Sequence, residues 1–503
     1  MQVLYRRILI LILIFSLVLA GCAGDIPTQT TQADETTTAT TEQIVTTTEQ
    51  LVTTTEEESF TTNLSVGFGR VDISPVEPTP LRGYGYSSGR LSSQILDPLF
   101  ATCIALTDSG NNTVLLFTLD MTNSYTAVMD AARLQISNKT GIPVDAIMVS
   151  ATHNHSSPDL ENPDEPSVPR YIEKLKGWMT QAALDALDNR APTRVYITAT
   201  ATENLNFVRR YALADGSYAG DNFGSFKNAP IVGHETDADN QLQLVRFQRQ
   251  GEKDIILANF QTHPHRAVSV LKTGVTSDII APFREKMEAT LDCHFAYFTG
   301  SSGNINPTSR IEAENVTKDY IEHGHALADY ALKAYDTFRE IPATSVKITK
   351  VLHKGTVDHT FSGWGQVARD AANYYMVNGE YGIYAQFLKG SGIKNIYQAN
   401  AVGIRSTMDA QVDIPLYAIS LGELAFVTVP FEMFDTNGMQ IKEASPFSMT
   451  FVMTCANNNL SYLPSDLAFQ HGGYGVDVTL FVRGTAEALV SSYLGMLNDL
   501  YEG

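Results

Sequence analysis

From about Ser65 to the C-terminus, short apolar runs alternate with longer stretches of helical pattern. That alternation limits the fold more than any other feature. Seven runs read as strands: VLLFTL (114–119), AIMVSAT (146–152), RVYITAT (194–200), DIILANF (254–260), HFAYFTG (294–300), LAFVTVP (424–430) and FSMTFVMT (447–454). Between them, 125–139, 167–188, 280–291, 313–338 and 484–501 read as helices. No long repeat accompanies the alternation. The expectation is an α/β fold of layered mixed β-sheets flanked by helices. It forms one large domain, or two closely packed lobes, over residues 65–503.

The first 64 residues are of a different kind. Residues 1–21 read as a signal peptide. Arg6 and Arg7 precede a run from Ile8 to Ala20 that is apolar except for Ser16 and short for a membrane span. The run ends in Leu19-Ala20-Gly21-Cys22, small residues before a cysteine. This resembles the bacterial lipobox, which implies cleavage before Cys22 and acylation of its thiol. An ordinary secretory signal that happens to contain a cysteine is the alternative. Residues 22–64 are dominated by Thr and Glu and hold too few apolar residues for a core. They read as a disordered, acidic tether. The expected location is the bacterial cell surface, with a lipid anchor in the membrane.

Charge excludes one large class of function. The chain has 35 Lys+Arg against 55 Asp+Glu. The tether contributes eight of those acids and no base, and the remainder is still net negative. No basic face for phosphates is expected, and so no nucleic-acid partner. Apart from Cys22, the cysteines are Cys103, Cys293 and Cys455, each in or beside an apolar run. They read as buried free thiols, with at most one pair able to bridge.

The chemistry-bearing residues are histidines. His153-Asn154-His155 and His263-Pro264-His265 each follow an apolar strand directly. Strand ends in layered α/β folds open into crevices where catalytic groups gather. Neutral imidazole is a common zinc ligand, so the two patterns invite a metal reading. Two separate hydrogen-bonded loops would account for them equally. His323 and His325 lie in a helical pattern where positions i and i+2 diverge, and both are expected on the helix surface.

Several motifs then occur in a telling order: GFGRVDISP (67–75), RGYG (82–85), DPL (97–99), GIPVDAIMVSATHNHSSP (141–158) and GNINP (303–307). In that order they resemble the neutral/alkaline ceramidase family, zinc amidases that cleave the N-acyl bond of ceramide. TVPFE (428–432) and the spacing from Tyr462 to Tyr474 extend the resemblance toward the C-terminus. It implies one Zn2+ per chain, held by His153, His263, Glu432 and Tyr462. It also places His155, Arg209 (Arg210 in a shifted register), Tyr474 and Asn306 around the scissile amide. His155 would shuttle a proton, while Arg209 and Tyr474 would donate to the oxyanion. Zinc would lower the pKa of a bound water toward neutrality.

The pattern breaks in two places. The family's active-site serine falls on Asn306, which has no nucleophilic hydroxyl, so an acyl-serine route is closed there. Asn306 could still donate a hydrogen bond to the substrate carbonyl. The family's C-terminal immunoglobulin-like domain is also expected to be absent. The expected function is therefore a surface-anchored zinc hydrolase acting on a linear N-acyl amide, with a small amphipathic or amide substrate. The alternative is a binding lipoprotein or lapsed enzyme that keeps the fold.

Overall fold

The computed structural model describes residues 62–84, 90–161, 164–380 and 382–503. The signal peptide, Cys22 and nearly all of the tether lie outside the described residues. Each of the seven apolar runs is a strand: Thr113–Leu119, Ile147–Ala151, Ala191–Ala201, Ile255–Phe260, His294–Thr299, Leu424–Val429 and Met449–Thr454. Most are apolar throughout because they lie between two layers. Ile255–Phe260, for example, is buried at every position.

The larger sheet runs His294–Thr299, Ile255–Phe260, Gln241–Arg249, Ala191–Ala201, Leu64–Asp72, Phe100–Asp108, Thr113–Leu119, Ile147–Ala151. Its two outermost pairs are parallel, and the pairs between them are antiparallel. Arg339–Ile341 pairs alongside Ala191–Ala201. A second sheet orders Val346–Thr356, Gln411–Leu421, Leu424–Val429 and Met449–Thr454. Phe117 and Phe298 of the first sheet and Phe426 and Phe451 of the second share one core between the layers.

Helices cover the outer faces. Ser167–Asp188 buries Val168, Tyr171, Leu175, Met179 and Ala186, a stripe at helical spacing. It lies against strands Leu64–Asp72 and Phe100–Asp108. Thr485–Glu502 packs on the second sheet. An insertion between the two longest strands of that sheet holds helices Gly365–Asn378 and Ile396–Arg405. The insertion has a small core of its own around Ala368, Ala372, Ile396 and Val402.

The stretch 313–338 departs from its expected extent. The helix covers only Tyr320–Lys333, because the Asp319 side chain accepts from the Ile321 and Glu322 amides and starts it there. His323 also departs from the surface position expected of it. It has no exposed area and faces inward with Gly324, Leu327 and Ala328. Its Nδ1 lies 3.1 Å from Arg266 Nη1. His325 is half-buried. Cys103, Cys293 and Cys455 are buried free thiols. No helix among the described residues is long and apolar enough to cross a membrane.

Candidate metal centre

Five strand ends meet at one place. Ile147–Ala151 leads to His153, Ile255–Phe260 to His263 and His294–Thr299 to the Gly303–Pro307 loop. Leu424–Val429 leads to Glu432, and Met449–Thr454 leads toward Tyr462. Hydrogen bonds tie these ends across the two sheets. Thr299 Oγ1 donates to the Thr152 carbonyl at 2.6 Å. Ser150 Oγ donates to the Thr454 carbonyl at 3.1 Å, and Thr454 Oγ1 to the Gly300 carbonyl at 2.7 Å. Segments hundreds of residues apart are thereby locked around one centre.

At that centre the Nε2 atoms of His153 and His263 each lie 3.3 Å from Glu432 Oε2. All three atoms are buried and lack a hydrogen-bond partner of acceptable geometry. His153 Nδ1 lies 2.7 Å from the Thr122 carbonyl and His263 Nδ1 lies 3.0 Å from the Ile305 carbonyl. A carbonyl only accepts, so each Nδ1 carries a proton and each Nε2 is the ring atom turned to the centre, where a metal would take it. His153 holds a left-handed backbone, φ 64°, a strained state for a histidine that persists at functional positions. The ring nitrogens of His153, His155 and His263 lie within 4.8 Å of one another, a group that could hold a metal ion. Two nitrogens, a carboxylate oxygen and a nearby phenol suit zinc in type and number.

Electrostatics agree with a tightly coupled site. Burial pushes the Glu432 carboxyl up, but the His153 and His263 rings outweigh it and hold it well below its ordinary value. Burial and the Arg209 charge pull His263 down to about 3. Burial and the neighbouring imidazoles pull His155 well below its ordinary value. The Tyr462 phenol is pushed up by burial and by Glu432. Tyr462 and Glu432 are register partners in a two-stranded parallel pair.

The other residues expected at the site are also gathered there. The His155 ring lies edge-on to His153, centroids 5.1 Å apart. Arg209 Nη2 donates to Tyr462 Oη at 3.0 Å and to the Gly303 carbonyl at 2.7 Å. Arg210 turns away to a buried ion pair with Glu235 at 2.6 Å, so Arg209 is the arginine hydrogen-bonded to Tyr462. Tyr474 lies 5.4 Å, ring to ring, from Tyr462. Asn306 is more committed than expected. Its Oδ1 lies 3.0 Å from His265 Nε2, and its Nδ2 donates to Asp221 Oδ2 at 2.8 Å.

Two glycines mark how closely the loops approach. A Cβ on Gly83, of the RGYG motif, would sit 2.4 Å from the His155 Cβ, and its φ is +109°. A Cβ on Gly303 would sit 2.3 Å from the Glu432 carbonyl. Only glycine permits either approach.

No protein-family model matches the chain, and no curated protein does. Solved structures do. Neutral ceramidase from Pseudomonas aeruginosa superposes with a TM-score of 0.66 over 88% of this chain and 75% of that one, at 16% identity. A ceramidase complexed with C2 gives a TM-score of 0.66 over 88% and 76%, at 15% identity. The fold is that of neutral ceramidase.

Within this ceramidase fold a cavity of about 510 Å³ opens beside His153, His155, Glu432, Tyr462 and Tyr474. Two residues at the centre had no role assigned from sequence. His265 belongs to a pattern visible in the sequence, whereas Asp221 sits in a polar loop with no local signal. Asp221 meets the site through its hydrogen bond from Asn306 and through the charge of Arg209, and it also accepts from Arg310.

Proposed function

We propose that this chain is a zinc-dependent hydrolase of a linear N-acyl amide, with His153, His263, Glu432 and Tyr462 holding one zinc ion. The observation that carries the reading is the convergence of three buried, unpartnered donor atoms, His153 Nε2, His263 Nε2 and Glu432 Oε2. Buried polar atoms are costly to leave unpaired, by about 1–3 kcal/mol each, so a cluster of three calls for a shared partner. Zinc, when bound, acts as a Lewis acid on a carbonyl and lowers the pKa of a coordinated water.

The chain's own residues supply the rest. Thr122 and Ile305 carbonyls keep both ligand imidazoles in one tautomer. Arg209 braces the Tyr462 phenol and, with Tyr474, provides donors for negative charge developing on a substrate carbonyl. His155, on the cavity wall, is placed to carry a proton to the leaving amine. Asn306 offers no nucleophile, so water attacks directly and no acyl-enzyme forms at that position. The fold of the ceramidases supports an amide as substrate. The lipobox-like ending at Cys22 supports a lipid anchor at the bacterial surface.

The test is metal analysis of the full chain purified without chelators, followed by assay against a panel of N-acyl amides. About one zinc per chain and amine release that is lost with a chelator are expected. Essentially no zinc would sink the proposal. Full zinc without turnover of any amide would favour the binding-protein alternative, which the commitment of Asn306 to His265 and Asp221 also favours.

A further inference from the structure

We infer that the amide this site accepts carries a compact, hydrogen-bonding amine portion without anionic groups, rich in hydroxyl or amide groups, and no long alkyl chain. The inference rests on the hydrolase reading above and narrows its substrate class. It comes from the wall of the 510 Å³ cavity, which is lined by four asparagines, Asn123, Asn373, Asn400 and Asn459.

The asparagines come from two parts of the chain. Asn459 Nδ2 donates to Asn123 Oδ1 at 2.7 Å, which fixes this pair. Asn373 and Asn400 belong to helices Gly365–Asn378 and Ile396–Arg405 of the inserted unit. Asn400 is half-buried and Asn373 exposed. Each side-chain amide offers both donors and an acceptor.

An alkyl chain laid over this wall offers its amides no hydrogen-bond partner, and a covered amide without one is penalised. A hydroxyl- or amide-bearing group of similar size would instead pair with the same side chains. The apolar part of the wall, Ala401, Ile404, Val478 and Leu480 with the rings of Tyr84 and Tyr397, is left for the acyl group.

Charge narrows the class further. Among the described lining residues, Arg82 is the cation away from the metal centre. It is already held by Glu161 at 2.6 Å and Asp159 at 3.5 Å. That cluster is net negative and offers nothing to a carboxylate or phosphate, so the amine portion carries no anionic group.

The test compares kcat/KM of the zinc-loaded full chain on four amides. These are N-acetylglucosamine for hydroxyl recognition, N-acetylglycinamide for amide recognition, N-acetylsphingosine and N-palmitoylsphingosine. At least one of the first two is expected to exceed N-palmitoylsphingosine by tenfold or more, and which one leads tells the two chemistries apart. Asn400→Leu and Asn373→Leu are expected to raise KM for that amide about tenfold with kcat within twofold. Asn400→Ser, which keeps a hydrogen-bonding group, should recover most of the loss.

Preference for N-palmitoylsphingosine would overturn the inference and leave the hydrolase reading standing. An unchanged KM in both leucine variants would overturn it too. Turnover of none of the four, with zinc bound, would count against the hydrolase reading itself and remove the inference with it.

Discussion

His153 and His263 each spend Nδ1 on a backbone carbonyl and aim Nε2 at Glu432 Oε2, whereas His323 meets Arg266 and Thr317 through Nδ1 and its buried Nε2 belongs to no metal-competent group among the described residues. An imidazole nitrogen without a partner therefore does not by itself mark a metal site; convergence with other donor atoms does. His153→Ala and His263→Ala are each expected to abolish zinc binding. His323→Ala is expected to lower thermal stability and retain full zinc, as measured by elemental analysis. Loss of zinc in His323→Ala alone would place the metal elsewhere. Asn306 allows a second prediction. A serine there cannot reach both His265 and Asp221, and it frees a carboxylate that burial pushes up and the Arg209 charge pulls down below its ordinary value. Asn306→Ser is therefore expected to lower amide turnover, by about tenfold, and not to create a new activity.

At the scale of single elements, the Tyr320–Lys333 helix shows how one side chain sets a boundary. Asp319 accepts two amide protons at its start. Asp319→Ala is expected to cost about 1 kcal/mol in urea unfolding; no measurable change would mean that tertiary packing alone holds the helix end. Ile255–Phe260 was legible because its apolar run is nearly continuous, whereas Phe100–Asp108, almost as buried, was not, because Thr102, Thr107 and Asp108 break the run. Gln241–Arg249 was not legible either, because Gln241, Gln243 and Arg246 interrupt it; Gln243 is nonetheless buried and Arg246 pairs with Asp254 at 2.6 Å. The site was legible where its residues lie in strand-end motifs, as at THNH and THPH. Asp221 and the burial of His323 were not legible, because each depends on a contact made by a distant segment: Asn306 in one case, Arg266 in the other.

At the scale of the whole molecule, two buried groups that both interact with Arg266 make stability respond to acid in opposing ways. Burial pushes the Asp278 carboxyl up from 3.8 to about 6. Its Oδ2 accepts from the Ala267 amide at 2.6 Å. Between pH 3.8 and 6 the native protein thus holds a proton that the unfolded chain has released. The stability Asp278 contributes is full below 3.8 and is lost as pH rises through 6. His323 behaves in the reverse sense. Burial, with the Arg266 charge, pulls it from 6.5 down to about 3. Its contribution is full above 6.5 and is lost as pH falls toward 3. From about pH 4 to 6 the two slopes oppose each other, each worth up to about 1.4 kcal/mol per pH unit. Asp278→Asn, whose amide suits the left-handed φ of 59° there, should leave the His323 dependence exposed and make stability rise more steeply with pH. His323→Gln should tilt the same curve the other way. Urea unfolding of the parent and both variants at pH 4, 5 and 6 measures the slopes. Three parallel curves would mean that neither group is shifted by its burial.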